Sequence, residues 1–185
     1  MEKILEILKS RKSVRDFSDE AISDEILKKI FEATITAPSS FNCQSWNFIY
    51  ANKHENPELF DKIICNLSEF NQSWAKASQT LIIAFANFKK LTDNDPRYAW
   101  YNTALAVENL IIAAQVFEIS SHQMNGFYKD KIINNFNVPE YLEPISVIAL
   151  GYAKTTGNLP LDIFKMETEI KSQKSIEMFF TNKEF

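Results

Sequence analysis

The strongest constraint on how this chain can fold lies in residues 97–117, a helical stretch whose segment 104–116 is apolar nearly all round. A surface helix needs a single apolar stripe, whereas a helix that is apolar on every side must be covered on every side. The stretch therefore belongs at the centre of the molecule or at an interface between two copies.

The rest of the chain supplies helices and strands in alternation. Ile4, Leu5, Ile7 and Leu8 form one helical stripe ending near Ser10, and Ser23 reads as the N-cap of a second helix that turns Ile26, Leu27, Ile30 and Phe31 inward and is ended by Pro38. Residues 46–50 alternate as a strand. Pro57 opens a third helix with Leu59, Phe60, Ile63, Ile64, Leu67 and Phe70 inward. Residues 80–86 are continuously apolar, the mark of a strand covered on both faces. After a polar loop at 89–96 and the long helix come a strand at 119–124, a turn at Asn125-Gly126, a helix at 129–136 and a buried strand at 145–150. Residues 152–185 still carry Leu159, Leu161, Ile163, Phe164, Ile176, Met178, Phe179 and Phe180, so this extension should cover something, and a partner subunit is the natural surface. No internal repeat or second domain breaks the 185 residues, a length that suits one domain.

Composition removes several function classes. With three glycines, Gly126, Gly151 and Gly157, the chain holds neither a phosphate-binding P-loop nor a dinucleotide fingerprint, each of which needs two or three glycines in one turn. A net charge of −4 argues against nucleic acid as a partner. Cys43, Cys65, His54 and His122 lack the spacings of a metal site. The first residues have no signal-peptide core and the longest apolar run, 81–86, is too short for a bilayer, so the expectation is a soluble, cytoplasmic protein without a membrane partner.

Two polar segments carry the chemistry. Only three of the twenty cationic residues are arginine, and two of them fall in Arg11-Lys12-Ser13-Val14-Arg15. Guanidinium groups offer the planar recognition of phosphate that lysine lacks, although a solvated basic loop is the commoner fate of a charge run. The second segment, Pro38-Ser39-Ser40-Phe41-Asn42-Cys43-Gln44-Ser45-Trp46, is dense in amides and hydroxyls able to meet a planar heterocycle, or it is an ordinary helix-to-strand connection.

Together, Arg11-Lys12-Ser13-Val14-Arg15-Asp16-Phe17 and Ala37-Pro38-Ser39-Ser40-Phe41-Asn42-Cys43-Gln44-Ser45-Trp46 resemble the opening of the nitroreductase family of FMN-dependent NAD(P)H oxidoreductases. The likeness continues through Asn71-Gln72-Ser73-Trp74, Met124-Asn125-Gly126-Phe127 and Leu150-Gly151-Tyr152. It implies an α+β fold with a central, mostly antiparallel sheet flanked by helices. It also implies a homodimer with the flavin between subunits, and one nitroreductase-like domain over 1–185 with 152–185 embracing the partner. Arg11, Lys12, Ser13 and Arg15 would hold the ribityl phosphate and pyrimidine edge. Pro38, Ser39, Ser40 and Asn42 would reach the ring from the other subunit. Asn71 would meet the polar edge of the flavin, and Asn125 and Gly126 would lie beside its N5. Lys171 and Gln173 stand where similar proteins complete the phosphate site. Lys12, Ser45 and Gln173 depart from the family pattern of arginine, proline and arginine, so weaker FMN retention is expected, with Lys171 and Lys174 as point charges in compensation.

The implied activity is hydride transfer from NAD(P)H through flavin N5 to small planar nitroaromatic or quinone acceptors, in ping-pong fashion, with no catalytic side chain. Another flavin reaction (C=C reduction, dehalogenation or flavin fragmentation) and a non-enzymatic flavin-binding protein stay open. Cys43 reads as a loop or core residue rather than a nucleophile and His122 as structural rather than a proton donor, while Trp74, Trp100 and Phe127 line a substrate pocket or, the commoner case for aromatics at such spacing, belong to the core. Glu108 and Asn109 are either buried with partners or face a groove.

Overall fold

A computed structural model describes residues 2–91, 95–154, 163, 165, 166 and 173–181. Its elements in chain order are α1 (Glu2–Ser10), α2 (Asp24–Thr34), β1 (Trp46–Asn52), α3 (Pro57–Ile64), α4 (Glu69–Ala75), β2 (Thr80–Asn87), α5 (Pro96–Val116), β3 (Ile119–Met124), α6 (Lys129–Asn135) and β4 (Leu142–Tyr152). The strands form one sheet in the order β1-β2-β4-β3, every neighbour antiparallel. This is the α+β architecture expected. No helix among the described residues is long and apolar enough to cross a membrane.

β2 explains why its sequence has no alternation. Leu81, Ile83 and Phe85 join one core cluster, with Phe60, Ile63, Leu67 and Trp74 of the α3–α4 layer, while Ile82 and Ala84 join the other, with Leu27 and Ile30 of α2 and Val107, Leu110 and Ile111 of α5. Side chains that point to opposite faces are all apolar because both faces are covered. β4 divides in the same way, Val147 and Ala149 to the first cluster, Ile148 and Leu150 to the second. The register of β2 on β4 slips between Ala84 and Phe85, whose partners are Ser146 and Pro144. Ile145 is thus the extra residue of a bulge beside Pro144, which has no N–H for the ladder.

Three helix starts follow the sequence signals. Ser23 accepts from Ile26 N, Asn56 accepts from Leu59 N ahead of Pro57, and Asp95 accepts from Arg97 N ahead of Pro96. The single helix expected from Pro57 through Phe70 is instead two. The chain leaves helix after Ile64, Leu67 forms a bridge with Phe127, and Ser68 caps a new helix by accepting from Asn71 N. Phe70, read as inward, is exposed.

α5 buries Ala99, Asn102, Thr103, Ala106, Val107, Leu110, Ile111 and Ala114 against the sheet and α2, while Tyr101, Ala104, Glu108 and Val116 face outward. The helix is covered on one side only within the chain. α1 buries none of its residues, and its stripe of Ile4, Leu5 and Leu8 is exposed. In the extension, Ile163 packs into the core of its own chain, and Ile176, Met178, Phe179 and Phe180 are exposed.

Candidate functional site

The basic segment leaves α1 with Arg11 N still donating to Ile7 O at 3.2 Å and then lies along the free edge of β3. Ser13 bridges Ser121 in parallel, Val14 N donates to Ser121 O at 3.4 Å, and His122 Nδ1 is 3.1 Å from Val14 O. Further on, Ser18 N donates to Tyr152 O at 2.8 Å and Lys154 N to Asp16 O at 3.0 Å. Phe17 is buried over Gly151, where an added Cβ would come within 2.7 Å of the ring. The backbone is therefore fixed at both ends, while Arg11 is half-buried, Lys12 is exposed, and neither enters an ion pair among the described residues. The Arg15 guanidinium carbon sits 5.8 Å from the centre of the Trp74 ring.

α4 lies across the same edge. Its cap residue Ser68 donates its backbone N–H to Gly126 O at 2.8 Å, and Asn71 Nδ2 donates to the same oxygen at 2.9 Å. Gly126 suits this approach, since a Cβ there would lie 2.5 Å from Asn71 Nδ2 and 2.7 Å from Ser68 Oγ and would push those side chains aside. Residues 55 positions apart in sequence are thus joined directly. No described donor meets Asn71 Oδ1, which is left as an acceptor. Arg11, Lys12, Ser13, Arg15, Asn71, Asn125 and Gly126 all belong to this one edge of the sheet.

Pro38, Ser39, Ser40 and Asn42 do not. They precede β1, the opposite edge, and three strand spacings separate the edges by roughly 14 Å. Ser40–Asn42 is a turn of 3-10 helix in which Phe41 and Asn42 have φ of 50° and 55°, followed by Gln44 at 47°. Ser39 Oγ accepts from Gln44 N at 3.0 Å, and Gln44 Nε2 donates to Asn42 Oδ1 at 3.1 Å. From α5, Asn102 Nδ2 donates to Ser45 Oγ at 2.9 Å and lies 3.4 Å from Cys43 Sγ, while Thr103 Oγ1 donates to Ser45 O at 3.1 Å. The loop is strained and fastened, and it presents the Phe41 ring 86% exposed.

Residues 8–152 match the family described as Nitroreductase family. The chain belongs to that family. It is 36% identical to a Bacillus subtilis (strain 168) protein named "Putative NAD(P)H nitroreductase YdgI", over 85% of this chain and 94% of that one. Among solved structures, one titled as an oxidoreductase containing FMN superposes with a TM-score of 0.85 at 26% identity, covering 96% of this chain and 90% of the other. A nitroreductase family protein from Clostridium difficile 630 shares the fold, with a TM-score of 0.76 at 19% identity over 98% of each chain.

As an oxidoreductase of this family, the protein carries site features that sequence reasoning did not single out. Ser68 is one, and its signal was present, because Ser68 and Asn71 have N-cap spacing. It was masked by apolar periodicity running through the helix break. The pairing of Trp74 with His122 is another: the sequence presents each by itself, but their rings lie 4.6 Å apart, centre to centre, inside the cluster. Of the residues expected to complete the phosphate site, Gln173 is exposed, and Lys171 lies outside the described residues. Glu108 faces solvent, and Asn109 donates to Ala33 O at 3.3 Å.

Proposed function

We propose that this nitroreductase is an FMN-dependent enzyme that oxidises NAD(P)H and reduces small planar acceptors, nitroaromatics and quinones among them, at a site shared by two copies of the chain. The observation that carries the reading is the gathering of Arg11, Lys12, Ser13, Arg15, Asn71 and the Asn125-Gly126 turn at the β3 edge. The donor set fits the cofactor. Arg11 and Lys12, which enter no ion pair among the described residues, suit a terminal phosphate together with the Ser13 hydroxyl, and an unmet amide oxygen on Asn71 suits the N–H of a pyrimidine edge.

FMN, when bound, supplies the two-electron redox centre that no side chain of the cluster offers. Arg11, Lys12, Ser13 and Arg15 bind its phosphate and pyrimidine edge, and Asn71 orients the ring. The Asn125-Gly126 backbone would lie on the redox-active side of the ring, and Lys171 and Gln173 would add to the phosphate-binding set. Pro38, Ser39, Ser40 and Asn42 come from the second copy, since their own edge lies far from this cluster. The exposed apolar residues of α1, α5 and the extension supply the dimer surface.

Purified protein should be yellow, release FMN on denaturation and bleach in stopped flow when mixed with NADH or NADPH. Protein that binds FMN but is bleached by neither nicotinamide would make it a binder and not an enzyme. One site visited in turn by nicotinamide and acceptor should give parallel double-reciprocal lines, and intersecting lines would rule that out. Sedimentation recorded at the flavin absorbance tests the shared site, and a monomer that retains FMN would refute it.

A further inference from the structure

His122 is buried, titratable and unused by the chemistry above, yet it touches both arms of the cluster. Because a carbonyl oxygen can only accept, the 3.1 Å contact fixes the proton on Nδ1, which donates to Val14 O. Val14 is the residue between Ser13 and Arg15. Its N–H goes to Ser121 O and its C=O to the side chain of the next strand residue, so consecutive positions of β3 hold both polar groups of one residue. The imidazole also packs on Trp74, and Arg15 lies over that same indole. Trp74 stands three positions after Asn71, on the helix whose Asn71 grips Gly126. A chain of contacts thus runs from the basic segment through His122 and Trp74 to the Asn71–Gly126 turn.

We infer that His122 is a positioning residue for the cofactor site, fixing the register of the Ser13–Arg15 backbone on β3 and, through the Trp74 ring, the placement of Arg15 against α4. The inference rests on the FMN reading for its consequence, but its geometry can be read without flavin. An apolar core histidine would need only shape, whereas this role needs a donor at the Nδ1 position. Asparagine supplies one, because its Nδ2 lies close to where His Nδ1 lies, and alanine does not.

The experiment compares full-length wild type, His122→Ala and His122→Asn in two measurements. Hydrogen exchange of the flavin-free proteins reads the segment 11–17 against β2 and β4. Titration with FMN reads affinity. In His122→Ala, residues 11–17 should exchange at least tenfold faster while β2 and β4 keep their protection, and the FMN dissociation constant should rise at least tenfold. His122→Asn should stay within about threefold of wild type in both. Should the alanine protein fail to fold, His122→Gln, whose amide sits one carbon too far out to meet Val14 O, takes its place in the comparison. Unchanged exchange at 11–17 in the variant lacking the donor would overturn the inference, as would an asparagine protein as impaired as the alanine one. A wild type that binds no FMN would sink the functional reading alone, leaving the exchange result to decide the role of His122.

Discussion

Replacing Gly126 with alanine tests the junction between α4 and the turn after β3. The backbone at 126 tolerates a side chain, since no described glycine has positive φ. The obstacle is steric, with the new methyl 2.5 Å from Asn71 Nδ2 and 2.7 Å from Ser68 Oγ. Both are ends of side chains, so they yield before backbone does. Turning Asn71 away breaks its 2.9 Å bond to Gly126 O, a loss of about 1 kcal/mol. Moving Ser68 weakens the cap of α4. That bond is already long at 3.4 Å, so the loss falls at the low end for a cap, about 0.5 kcal/mol. The alanine restricts the unfolded chain and returns about 0.4–1 kcal/mol.

The net destabilisation expected is about 0.5–1 kcal/mol, a fall of roughly 1–4 °C in midpoint for a domain this size. Urea unfolding of flavin-free Gly126→Ala, Asn71→Ala and the double variant measures it. Because the methyl acts by displacing Asn71, most of its cost should vanish in the Asn71→Ala background, a coupling of about 0.5–1 kcal/mol. Flavin affinity should fall in both single variants. A cost that persists undiminished in the double variant would refute the reasoning.

Gly151→Ala should cost more, about 1–2 kcal/mol, because the methyl meets the Cδ1, Cγ and Cβ atoms of Phe17, whose backbone is held by the neighbouring Ser18–Tyr152 bond; thermal unfolding reads it, and an unchanged midpoint would show that Phe17 can shift. Arg11→Ala should weaken FMN binding by about 1.5–3 kcal/mol, the scale of a hydrogen bond to a charged group, and titration giving wild-type affinity would remove Arg11 from the site. The Tyr152 hydroxyl is raised above its ordinary value by burial first, then by Glu20 and Glu118. The fold therefore favours its neutral form, a contribution present below the unfolded pKa near 10 and lost as pH rises through the higher folded value. Tyr152→Phe should flatten the alkaline loss of stability, and identical urea midpoints for the two proteins across about pH 9–11 would count against this.

What could be read from the sequence was what neighbouring residues decide. Ser23, Asn56-Pro57 and Asp95-Pro96 mark helix starts by local hydrogen bonding; the first two stand where expected, and the long helix begins at Pro96, one residue ahead of the expected 97. β2 could be read because burial on two faces leaves a continuous apolar run. The break between α3 and α4 could not, because Leu59, Phe60, Ile63, Ile64 and Leu67 keep helical spacing through it. What interrupts them is the Leu67–Phe127 bridge and the Ser68–Gly126 bond, made by residues about sixty positions away. The same distance hid Trp74 and His122. Each alone reads as core, and only the fold sets one ring on the other beneath Arg15.

The site poses a sharper version of the same limit. Resemblance gathers 11–15, 38–42, Asn71 and 125–126 into one set, but sheet order divides them between two edges. A single chain brings only the β3-edge members together. The other loop is nevertheless built in advance: Phe41, Asn42 and Gln44 are left-handed without being glycine, a conformation that costs roughly 1–2 kcal/mol at an ordinary residue. Ser39, Asn102 and Thr103 hold it in that shape from within its own chain. Strain kept at a surface loop that displays an aromatic ring to solvent is the kind of expense that persists where the shape is used. A loop rigid before association meets its target without losing further entropy. That is the arrangement the proposed site would require, with the two residue sets lying at opposite edges of one sheet.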